Sequence, residues 1–190
     1  MKRTTTIMAS AATLVLLTGT ADAHAPVAGG VGAGLTHPFT GLDHLLAMVA
    51  VGVFAAMRPT DGNAWRAPAL FILMLTVGAG LGLAGTALPF VEAGIALSIV
   101  LLGMMIAFAG RLPETASLAA IAAFALMHGH AHGTEATGAA GLFVAGMIAA
   151  SAALHAGGYV LGRALIARVP HAGWLAGGAM GAAGLALLGA

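Results

Sequence analysis

The stretch 67–88, APALFILMLTVGAGLGLAGTAL, holds no charged residue over a length that crosses a bilayer as a helix. It is one of several such runs. Sixty per cent of the 190 residues are apolar, 7% are charged, and the mean hydropathy is +1.01, so lipid is the solvent for most of the chain. Outward from 67–88, short polar or proline-containing breaks separate apolar segments, and spans are expected near 34–57, 67–88, 90–110, 115–133, 138–162 and 172–190. The expected fold class is therefore all-α, a polytopic membrane bundle of about six transmembrane helices. Pro38 and Gly41 interrupt the first span, and glycine dilutes the last. Within apolar helices, glycine four residues apart lets backbones approach closely, as in Gly78-x-x-x-Gly82, Gly173-x-x-x-Gly177 and Gly177-x-x-x-Gly181.

Lys2 and Arg3 precede an apolar run from Ile7 to Leu17, and Ala21-Asp22-Ala23 follows as a small-x-small cleavage site. Residues 1–23 read as a cleavable signal peptide, with His24 first in the mature chain and 24–190 as one integral membrane transport domain. The mature arginines, Arg58, Arg66, Arg111, Arg163 and Arg168, all fall in the alternate connections 58–66, 111–114 and 163–171. The positive-inside bias thus expects a multi-pass protein of the bacterial inner membrane with a periplasmic N-terminus.

The absence of cysteine excludes disulfides, iron–sulfur clusters and thiolate metal sites. A net charge of +1 with no basic stripe argues against nucleic acid as a partner. Ionisable groups inside apolar spans are costly unless paired, hydrated or bound to an ion. Here they gather in two segments, His37-Pro38-Phe39-Thr40-Gly41-Leu42-Asp43-His44 and Met127-His128-Gly129-His130-Ala131-His132-Gly133-Thr134-Glu135, placed at the same expected face of the membrane. On a helix, His128, His132 and Glu135 share one side while His130 points the other way. With His37, Asp43 and His44 they form an expected metal-ligand set suited to Ni²⁺, Co²⁺, Zn²⁺ or Cu²⁺. Glu92, His155 and His24 are auxiliary or pathway candidates, each with a structural alternative. His171 is expected to be solvated.

These two segments resemble the signatures of the HupE/UreJ family of hydrogenase and urease accessory proteins, which are nickel permeases. The first signature corresponds to His37, Asp43 and His44. The second, His-Gly-x-Ala-His-Gly-x-Glu, corresponds to His128, Gly129, Ala131, His132, Gly133 and Glu135, with Met127 where the family commonly has Phe. The resemblance, which also takes in Glu92-Ala93-Gly94-Ile95-Ala96-Leu97-Ser98, implies a permease supplying nickel for hydrogenase or urease maturation. The expected partners are a divalent ion, the lipid bilayer, and accessory or maturation proteins or further copies of the chain. No prosthetic group is expected, and Ni²⁺, Co²⁺ or Zn²⁺ would be cargo. Two alternatives use the same donors: a membrane-embedded metalloenzyme in which the metal activates water, and a metal sensor or chaperone without flux. No phosphate-cradling G-x-x-x-x-G-K-[ST] motif is present to couple transport to ATP.

Overall fold

A computed structural model describes residues 27–58 and 63–189, so the expected signal peptide, its cleavage point and His24 lie outside the described residues. Helix α1, Val31–Thr36, runs into a 3-10 turn at His37–Phe39. It is followed by α2 (Leu42–Met57), α3 (Arg66–Leu83), α4 (Val91–Ala107), α5 (Glu114–Glu135), α6 (Ala140–Arg168) and α7 (Ala172–Leu188). Two short strands, β1 (Val27–Ala28) and β2 (Ala136–Thr137), pair in parallel, with Val27 opposite Ala136. Every expected apolar segment holds a helix. Helices α3 and α6 are long and apolar enough to cross a membrane, and the bent pair formed by Val31–Phe39 and α2 adds a third if counted as one span; α4 and α7 are shorter apolar helices.

Two elements correct the sequence-based boundaries. The first span is not one helix, because its two parts meet at 84°. Pro38 has no N–H to continue a ladder, and Gly41 is extended (φ −104°, ψ 119°), so a new helix begins at Leu42. Helix α6, in the fifth expected span, runs 29 residues, about 43 Å at 1.5 Å per residue, and carries Arg163 and Arg168 in its last turns rather than in a connection. No proline interrupts it before Pro170.

Close backbone approach organises the bundle into pairs. Gly78 and Gly82 on α3 meet the backbone of α5 at Leu126 and His130, and Gly129 and Gly133 on α5 meet α3 at Leu75 and Ala79. Gly52 on α2 lies against His155 and Tyr159 of α6, answered by Gly158 against Val49. Gly103 on α4 faces Gly177 and Gly181 of α7, and Gly184 faces Val100. A methyl group at most of these positions would collide with main chain, as expected where helices associate through packing in a lipid solvent. Leu73, Leu142, Val160 and Leu185 remain exposed on the outside, as suits an apolar surround.

The two ends of the bundle differ in chemistry. At one end the Arg58 guanidinium donates to the carbonyls of Ala109 (3.4 Å) and Leu112 (3.1 Å), and Arg66 donates to Glu114 at 2.9 Å. Trp65 stacks near Tyr159 (5.3 Å) and Trp174 against Phe108 (4.7 Å), each tryptophan half exposed in the manner of interfacial anchors. A cavity of about 380 Å³ opens among Phe54, Arg58, Asn63, Arg66, Glu114 and Ser117. The opposite end holds the two histidine-bearing donor segments.

Candidate metal centre

The second donor segment is helical to its last residue, so period alone aligns its groups. His128, His132 and Glu135, at i, i+4 and i+7, turn inward and are buried. Gly129 and Gly133, one position on, form the face that seats α5 against α3. His130 turns a third way, and its Nε2–H donates to the Thr86 carbonyl at 2.6 Å, tying α5 to the α3–α4 connection.

The first segment reaches the same place by breaking. The turn at Pro38 swings His37 over the end of α2, while His44 projects from the first turn of that helix. His37 and His44 thus lie on different axes, with ring centroids 6.4 Å apart. Between them sits His132, 4.7 Å from the His37 ring and 4.3 Å from the His44 ring. His128 adjoins His44 at 5.0 Å. Four imidazoles therefore form a bent file, ring next to ring, His37, His132, His44, His128, turning by about a right angle at His132, inside the bundle.

Carboxylates sit at specific points along this file. Glu135 Oε2 lies 3.3 Å from His37 Nε2 and 3.9 Å from His132 Nδ1. One donor atom from each of His37, His132 and Glu135 falls within 4.8 Å of the others. An ion held at about 2.1 Å by each donor brings ligand atoms to roughly 3–3.5 Å, so a small contraction closes this triad on a metal. Asp43 accepts from the backbone N–H and from Nδ1 of His44, both at 2.8 Å. That contact places the His44 proton on Nδ1 and its lone pair on Nε2, the orienting role that carboxylates play beside metal-binding imidazoles. A main-chain carbonyl does the same for His128, whose Nδ1–H donates to Phe124 at 2.9 Å.

His132 is fully buried, and neither of its ring nitrogens has a hydrogen-bond partner among the described residues. Leaving such a group unsatisfied costs on the order of 1–3 kcal/mol, a cost that coordination to an ion removes. The donor set fits a borderline divalent metal: imidazole nitrogens with one or two carboxylates, and no thiolate.

Of the sequence-selected residues, the structure brings together His37, His44, His128, His132 and Glu135, and sets Asp43 beside His44. His155 is buried on α6, with Nδ1–H donating to the Met48 carbonyl at 2.6 Å. Glu92 is exposed in the first turn of α4 and is not among the buried groups. His171 is exposed at the start of α7. Sequence reasoning did not single out Phe143, whose ring packs on His37 at 5.3 Å, or Thr86, which receives His130. Neither carries a local pattern that would mark it, since each acts through a residue distant in sequence.

Two comparisons bear on this geometry. The profile of a protein family described as "HupE / UreJ protein" matches residues 12–187. The chain is also similar to Protein HupE of Rhizobium leguminosarum bv. viciae, with 43% identity over 193 residues covering 93% of this chain and 95% of that protein. No solved structure matches the chain significantly.

Proposed function

The chain belongs to the HupE/UreJ family, and from that premise we propose that it is a permease for a divalent transition-metal ion, nickel foremost, supplying hydrogenase or urease maturation. The observation that carries this reading is the file of four buried imidazoles leading from one end of an apolar bundle toward its interior. Donors in ring-to-ring succession let an ion exchange partners stepwise without ever being bare in a low-dielectric medium.

In this reading the histidine end faces the periplasm and the arginine end the cytoplasm, in the inner membrane, with all six apolar segments crossing. Helix α5 is less apolar than its neighbours because it carries the donors. A hydrated ion loses water to His37, His132 and Glu135, then passes to His44 and His128. Asp43 and Glu135 together supply two negative charges, so an ion bound with neutral imidazoles leaves the site near electroneutrality. A metalloenzyme needs a substrate cleft beside its metal. The cavity of about 380 Å³ is lined by arginine-end residues, none of them from the histidine file.

The test is nickel uptake by purified protein in proteoliposomes. Time-dependent accumulation inside vesicles is expected, and its loss in His132→Ala. Saturable binding with no accumulation would replace this reading with a sensor or chaperone.

A further inference from the structure

His155 stands apart from the file and is used by none of the steps above. It is 1% exposed on α6, one helical turn deeper than His44 along α2, because its hydrogen-bond partner is Met48, four residues after His44. A carbonyl only accepts, so Nδ1 carries the proton and Nε2 the lone pair. That lone pair is buried with no hydrogen-bond partner among the described residues. A histidine kept only as a strut between α2 and α6 needs one nitrogen, and the other is then a desolvated acceptor with nothing to offset it.

The position of that nitrogen follows from its neighbours. On α6, Phe143, Met147, Ser151 and His155 recur at four-residue spacing and are all buried, forming one inward stripe. Phe143 opens the stripe against His37, at the level where an ion would enter. His155 lies 12 residues further along, about 18 Å deeper at 1.5 Å per residue, near the middle of the helix. The Phe71 ring adjoins both the end of the file and this residue, 6.0 Å from His128 and 5.0 Å from His155. His155 is therefore an ionisable side chain with an available lone pair that shares one aromatic neighbour with His128.

Building on the transport reading, we infer that His155 Nε2 is an inner transfer ligand that receives the divalent ion from the histidine file and passes it toward the arginine end. Its role is then kinetic. Removing it leaves the entry site intact and slows the step after it.

Asparagine and glutamine separate the two nitrogens, because the Asn amide nitrogen occupies the place of Nδ1 and the Gln amide nitrogen that of Nε2. His155→Asn keeps a donor toward the Met48 carbonyl and deletes the inner ligand. In full-length protein reconstituted into vesicles with Ni²⁺ as probe, His155→Asn should retain wild-type Tm and the Ni²⁺ affinity of the entry site, the first to fill. Its maximal uptake rate should fall at least about tenfold with KM little changed, the scale on which changes around a metal's ligands act. Wild-type uptake in His155→Asn would make the residue a strut and overturn the inference while leaving the permease intact. A proportional loss of equilibrium binding would also overturn it, because His155 would then act through the entry site. An absence of uptake by the wild-type protein would remove the transport reading itself. The unmutated protein gives a second reading that does not depend on any variant folding: with ¹⁵N-labelled histidine and Zn²⁺ as a diamagnetic probe, His155 Nε2 should shift at higher occupancy than the file nitrogens. No shift at saturation would overturn the inference.

Discussion

The two donor segments deliver the same kind of side chain to one pocket by opposite means. Residues 128–135 do so through an unbroken helix, in which four-residue spacing aims His128 and His132 inward and Gly129 and Gly133 at α3. Residues 37–44 do so through a helix that fails: Pro38 and the extended Gly41 turn the chain by 84° and carry His37 back over His132. The continuous segment sets direction rigidly but only along one axis. The broken one supplies a donor from a second axis, without which His132 and Glu135 would lack a third ligand. A closed coordination shell inside a helix bundle needs donors from more than one axis.

The sharpest break of this comparison is within the continuous segment. His132→Ala removes the ring that touches both His37 and His44 and should reduce Ni²⁺ uptake by about a hundredfold or more, as expected for loss of a central ligand. His130→Ala, two residues earlier but turned toward Thr86, should keep most uptake. Equal loss in the two variants, measured in the same vesicles, would show that the inward face is not the one the helix defines.

Acidification tests both segments at once. Imidazoles bind metal only when neutral, so protons compete with the ion and acid weakens binding. Titration of Ni²⁺ binding between about pH 5.5 and 8 should therefore show affinity holding or rising toward the alkaline end. Tighter binding at the acid end would overturn imidazole coordination.

The packing face of the continuous segment should break by sterics rather than chemistry. Gly133→Val places a branched side chain against the Ala79 carbonyl, where the backbone cannot yield, and should destabilise by at least about 1–3 kcal/mol in thermal unfolding in detergent. Joining the two segments, Asp43→Asn and Glu135→Gln should show a coupling of about 0.5–3 kcal/mol in metal binding, since their partners His44, His132 and His37 are in mutual ring contact. Strict additivity would separate the segments into independent sites. The smallest effect is a control: Gly80→Ala on α3 meets open space and should change stability by less than about 1 kcal/mol, where Gly78→Ala collides with α5.

Much of this was written locally. Unrelieved apolar runs such as 67–88 require helices, since backbone groups in lipid must be satisfied within their own segment. Helical period alone separated His128, His132 and Glu135 from His130, and the glycine pairs marked which helices could come close. The sequence also showed that Pro38 and Gly41 interrupt the first span, because proline lacks the donor that a helix needs. Only the tertiary structure decided where that interruption sends His37, that Asp43 serves His44 rather than standing free, and that His155 lies one turn beneath the file against Met48. Those outcomes depend on crossing geometry between helices far apart in sequence. Such geometry comes from summed backbone contacts at positions like Gly52, Gly129 and Gly158, which no local period encodes.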